Sequence, residues 1–75
     1  MNPLRERRIL VPYTVQQLAF LSGVSRPTIH NIENGRISNP HPITLTRLAG
    51  ALGWTAGELA HALLHYQRRT NGRSD

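Results

Sequence analysis

The 75-residue chain has no cysteine and no lysine, and only one tryptophan, one phenylalanine and two tyrosines. Without cysteine, neither a disulfide nor a thiolate-held metal can staple so small a domain. Its stability then has to come from helix packing and, where one exists, a partner subunit. No apolar run approaches the ~18 residues of a membrane span, and no signal-peptide core follows Met1. The expected location is cytoplasmic. Acids are scarce: four, against nine basic residues that are all arginine, giving a formal net charge of +5. Four scattered histidines and four acids give no convergent nucleophile–base arrangement, and a short bundle has little room for a pocket, so an enzyme is not expected. No cofactor or small-molecule ligand is implied. The positive balance favours a polyanion, and nucleic acid is the usual one.

The best-organised stretch is Thr14–Gly35, TVQQLAFLSGVSRPTIHNIENG. Thr14 and Gln17 have capping-box spacing, and Tyr13 and Leu18 are placed as a hydrophobic staple. Ser25 can cap a second helix with Pro27 in its first turn, where a missing N–H costs nothing. Ala19 is small enough for two helices to cross closely, and Gly23 tolerates the positive φ of a sharp turn. Leu18, Val24, Ile29 and Ile32 supply an inward face. This is the pattern of a helix-turn-helix.

Around it, Asn2-Pro3 opens a helix over 3–10. Leu4 and Arg8 share one face of it, and Arg5 and Arg7 point elsewhere. Pro12 is expected to stop that helix by pushing the residue before it out of the α region. The motif helices span 14–22 and 25–34, with Gly35 closing the second. Residues 36–42, RISNPHP, read as a loop. Leu45, Leu48, Ala49 and Leu52 recur at i, i+3, i+4, i+7 in a helix over 43–52. Thr55 and Glu58 then form a second capping box, with Trp54 and Leu59 as its staple, before a helix over 56–67. The expectation is an all-α, compact five-helix bundle: one domain over 1–67 and a flexible basic tail over 68–75.

With LRERR (4–8), Leu18-Ala19, GVSRPTIHNIENGR (23–36) and LTRLAGALGWTAGEL (45–59) in this order, the chain resembles the Cro/repressor-type, or XRE, helix-turn-helix family. That family comprises phage repressors and many small bacterial regulators, and its fold is lambda-repressor-like. The resemblance covers roughly residues 3–64. It implies that the third helix enters the major groove of double-stranded DNA. Two features depart from the pattern. Val15 stands where the family usually has a phosphate-binding glutamine, and the loop 36–42 is longer than in compact phage repressors.

On the third helix the outward or flanking residues are Arg26, Pro27, Thr28, His30 and Asn31, of which Arg26, Pro27 and Asn31 match the family's base-reading set. Arg26 suits a bidentate bond to guanine O6/N7, and Asn31 suits adenine N6/N7. Pro27 and Thr28 offer carbon surface to a thymine methyl, with Thr28 alternatively on a phosphate, and His30 either contacts a base or lies at the edge of the groove. The resemblance places Asn34 and Arg36 on the DNA backbone, with Thr14 beside them and Ser38 and Asn39 as additions from the loop. It also pairs Glu33 with Arg8, which neutralises a carboxylate on a DNA-facing helix and ties the first helix to the third.

Leu63, Leu64 and Tyr66 are too apolar for a fully solvated last helix. Either they fold back on the core or they meet a second subunit, as the candidate interface of a homodimer that would match a palindromic operator. His61 and His65 have metal-ligand spacing but no third ligand, so no metal is expected. The expected function is sequence-specific DNA binding by a transcriptional regulator, a small Cro-like or immunity-type repressor in the absence of any sensor domain. The alternative is an antitoxin-like module that binds a partner protein and uses DNA secondarily.

Overall fold

A computed structural model describes residues 1–72, with side chains through Arg68. It contains α1 (Pro3–Leu10), α2 (Val15–Ser22), α3 (Arg26–Glu33), α4 (Pro42–Ala51) and α5 (Ala56–Gly72), with no strand among the described residues. The five expected helices are present. None is long and apolar enough to cross a membrane.

Most helix starts follow the local chemistry. The Asn2 carboxamide oxygen accepts from the N–H groups of Leu4 and Arg5 at 2.8 and 3.2 Å. In the α2 box, Gln17 N–H reaches Thr14 Oγ1 at 3.0 Å and Thr14 N–H reaches Gln17 Oε1 at 2.8 Å. The α5 box repeats this between Thr55 and Glu58 at 2.9 and 3.1 Å. Gly23 closes α2 at φ 76°, a left-handed conformation that glycine adopts without steric cost, and its N–H bonds to the Ala19 carbonyl.

Two boundaries, and the cause of a third, differ from expectation. α4 begins at Pro42, whose fixed φ suits the first helical position, although His41 before it makes no side-chain cap. α5 runs on to Gly72 instead of stopping near 67, so the expected tail begins inside this helix. Residues 73–75 of that tail lie outside the described residues. α1 does end at Leu10, but Val11 keeps helical dihedrals (φ −59°, ψ −47°). The bond into Pro12 is cis. The helix stops because Pro12 has no N–H for the Arg8 carbonyl, which accepts from Tyr13 N–H at 2.7 Å instead.

Every helix contributes to one core. Leu4, Leu18, Ile29, Ile32, Leu48 and Leu59 are fully buried, with Val24, Leu45, Ala49, Leu52 and Leu63 around them. Burying each large aliphatic side chain stabilises the fold by about 1.5–3 kcal/mol, so these residues dominate its stability. α4 packs on α5 as a base, α2 bridges α4 and α3, and α1 packs on both α3 and α5.

Arg7 secures the α1–α5 side. Its Nε donates to the Leu52 carbonyl at 3.2 Å, at the end of α4. Its guanidinium lies 5.0 Å from the Trp54 ring centroid. A helix C-terminus and an aromatic face both attract a cation, so one side chain serves two favourable contacts.

Candidate nucleic-acid interface

α3 divides lengthwise. Ile29 and Ile32 are buried, whereas Arg26, Pro27, His30 and Asn34 are exposed and Asn31 is half-buried. Residues 26, 30 and 34 recur every four positions, and 27 and 31 lie one step round, so all five fall on one stripe. At 1.5 Å per residue the stripe is about 12 Å long, comparable to the width of a B-DNA major groove. It carries a guanidinium, an imidazole and two carboxamides, the donor and acceptor types that read base edges.

Thr28 sits apart from this stripe. It is half-buried, and its hydroxyl is 2.8 Å from Ser25 Oγ, which also accepts the Thr28 N–H at 3.3 Å. Its hydroxyl therefore serves the start of α3. Of the five residues expected to read bases, the helix brings Arg26, Pro27, His30 and Asn31 together and leaves Thr28 at the margin.

The opposite edge of α3 is tied to α1. Arg8 Nε and Nη2 donate to the two carboxylate oxygens of Glu33 at 2.8 and 3.1 Å, and Nη1 donates to the Tyr13 carbonyl at 2.9 Å. This is a bidentate pair, and both side chains are largely buried. Hydrogen bonding to Glu33 raises the Arg8 pKa above its ordinary value, and the charge of Glu33 acts in the same sense against the opposing effect of burial. A carboxylate occupied in this way by a guanidinium does not present a free negative charge to DNA.

A second tie was not legible from local spacing. Asn2 is 5 % exposed, and its Nδ2 donates to the Ile32 carbonyl at 3.0 Å. The residue that caps α1 also holds the end of the candidate reading helix. Only its cap role has a sequence signature, because the second bond spans 30 positions.

Thr14, Asn34 and Arg36 flank α2 and α3 and are all exposed. Val15, where the family pattern has a glutamine, packs against the core. Ser38 and Asn39 are exposed but line a groove with Pro40, Leu45, Leu63 and Leu64, against α5. Leu63 takes the core side of its two alternatives. It is 5 % exposed and belongs to the core, so it is not available to a second subunit. Leu64 is 52 % exposed, and Tyr66 is half-buried. His61 and His65 stack with ring centroids 5.8 Å apart. No group of three metal-ligating side chains occurs among the described residues.

Two capped helices thus meet at Gly23, and the second carries one open polar stripe. A family model described as helix-turn-helix matches residues 4–63. The chain belongs to this helix-turn-helix family. That is the XRE type to which the motif order pointed.

Two proteins of Bacillus subtilis (strain 168) are similar to it. One, named an uncharacterized HTH-type transcriptional regulator, RghRB, is 44 % identical over 64 residues, which is 85 % of this chain and 46 % of that protein. The other, named the HTH-type transcriptional repressor RghR, is 50 % identical over 52 residues, 69 % of this chain and 36 % of that protein. The chain thus spans less than half the length of the curated relatives it matches. No solved structure matches it. The bundle is the helix-turn-helix unit of this family, and both relatives carry names of transcriptional regulators.

Proposed function

We propose that this protein is a sequence-specific transcriptional repressor that reads the major groove through α3 and binds a palindromic operator as a two-fold dimer. The observation that carries the reading is the open stripe Arg26–Pro27–His30–Asn31–Asn34 on a helix held from behind by Arg8 and Asn2. A helix fixed along its inner edge presents its outer edge at defined depth and angle, which base readout requires. Repression, rather than activation, is favoured by the similarity to RghR, a protein named as a repressor.

In this reading Arg26 pairs with guanine and Asn31 with adenine, while Thr14, Asn34 and Arg36 hold the backbone. The dimer contact falls to Leu64 and the rim of the groove between the 36–41 loop and α5, where Ser38, Asn39 and Gln67 add polar groups. Leu63 supports this face from inside.

Selecting bound sequences from a random duplex pool tests the proposal. A symmetric consensus with half-sites about one helical turn apart is expected. On the selected duplex Arg26→Ala should cost about 1–3 kcal/mol and relax preference at one base pair. An equal loss on selected and random DNA would reduce Arg26 to a backbone contact. Failure to enrich any sequence would refute specific binding.

A further inference from the structure

Residues 9–25 contain no Asp, Glu, Lys, Arg or His, in a chain whose net charge is +5. The segment includes all of α2, and one side of that helix is not core. Phe20 is 86 % exposed and Leu21 is 53 % exposed. Together with Tyr13, Thr14, Gln16 and Gln17 they line one open groove along the outward face, which starts at the α2 cap and continues at the spacing of successive helical turns. Leu18 and Ser22 occupy the inward face. An almost fully solvated phenylalanine contributes little to the fold, and no arrangement of α2 that buries Leu18 also buries it.

We propose that this α2 face is the contact surface for a second copy of the chain bound at a neighbouring site on the same DNA. The inference rests on the DNA-binding reading above. Charge is the first argument for this occupant. Copies at +5 repel one another, and this segment offers no like charge to its counterpart. It also offers no cation to a nucleic acid or an acidic partner and no anion to a basic one. Its apolar side chains and two glutamine amides are complementary to themselves.

Area is the second argument. One aromatic ring and its aliphatic neighbours present on the order of a few hundred Å². A stable interface in solution needs about 800 Å² per partner. The patch is too small to hold two free copies together. On one duplex the situation changes, because the phosphates offset the repulsion and the shared DNA raises the effective concentration to roughly the millimolar range. The strip also begins at Tyr13 and Gln16, on either side of Thr14, the residue assigned to the DNA backbone. It is separate from the α5 groove that serves the operator dimer.

Quantitative gel shifts test this with the full chain and duplexes carrying one or two copies of the pool-selected sequence, at several spacings. The wild type should fill the second site ~5–50-fold more readily than the first at a favoured spacing. Phe20→Ser and Leu21→Gln should abolish that gain and leave single-site affinity and melting temperature unchanged. Independent filling at every spacing, or cooperativity that survives both substitutions, overturns the proposal. A loss of single-site affinity equal to the loss on paired sites also overturns it, because Phe20 would then be a DNA contact. A wild type that binds no single site overturns the DNA-binding reading itself, and this inference with it.

Discussion

α1 is fastened on two sides by unlike means. Toward α3 it uses the buried carboxamide of Asn2 and the bidentate Arg8–Glu33 pair. Toward α4 and α5 it uses Arg7, half-buried, on a carbonyl and the face of an indole ring. The difference separates precision from adhesion. Directional, desolvated bonds fix the candidate reading helix, while a tolerant cation–ring contact suffices for the supporting base. The two capping boxes differ in the same spirit. α5 closes its box with the carboxylate of Glu58, which suits a positive helix N-terminus. α2 closes an equivalent box with the neutral Gln17, at the end where phosphates are proposed to lie.

Four substitutions would break or sharpen this contrast. The largest effect is expected from Glu33→Ala, which strands the Arg8 guanidinium in a largely buried position. The cost should be about 3 kcal/mol, which lowers the melting temperature by more than ten degrees. Replacing both partners with apolar residues, as in Arg8→Met with Glu33→Leu, should recover much of that loss. An unchanged melting temperature for Glu33→Ala would mean that the pair contributes no net stability.

Asn2→Ala should follow at about 2 kcal/mol, combining a lost cap with a carbonyl left without its buried donor. Asn2→Asp separates the two parts, since it keeps the cap oxygen and discards the donor to Ile32. A melting temperature for Asn2→Asp equal to that of the wild type would leave only the cap.

Arg7→Ala should cost about 1 kcal/mol and leave DNA affinity intact, because its contacts lie on the supporting side. A selective loss of DNA binding in Arg7→Ala would contradict the division drawn here.

The smallest effect belongs to Glu58. Hydrogen bonding to the Thr55 backbone N–H holds its carboxyl below the usual range, assisted by the Thr55 hydroxyl and by nearby Arg7. A group with a lowered folded-state pKa adds stability above its unfolded pKa and loses that contribution as pH falls through the folded value. Between about pH 5 and 3 the wild type should therefore lose slightly more stability than Glu58→Gln. Parallel pH profiles would remove Glu58 from the account.

How much was legible in the sequence depended on range. Caps, staples and the Gly23 turn are written within four residues of one another, so α2, α3 and the start of α5 could be read directly. The stripe on α3 follows from the same periodicity once Ile29 and Ile32 are known to point inward. The Arg8–Glu33 pairing came from family resemblance, since the two residues are 25 positions apart. Arg7 on Leu52 and Asn2 on Ile32 span 45 and 30 positions and have no local signature. Leu63 is ambiguous in the sequence for a related reason. An apolar residue on a last helix looks the same whether it faces its own core or a partner, and only the return of α5 onto α4 decides between them. Thr28 falls among the outward or flanking positions by spacing, and only its hydroxyl's contact with Ser25 ties it to the helix start.

The ties of α1 have a kinetic consequence. This helix packs on α3 and α5 and makes no comparable contact with its sequence neighbour α2. Its bonds close loops of 25, 30 and 45 residues, whereas α4 and α5 meet across a short turn. Closing such loops costs entropy before any contact repays it, so α1 is expected to dock late in folding and to be among the first elements to lose amide protection in hydrogen exchange. Bonds formed after the transition state act chiefly on unfolding. The Arg8–Glu33 clasp therefore acts as a latch on lifetime. It does little to hasten the native state, and it lengthens the time for which α3 stays mounted once that state is reached.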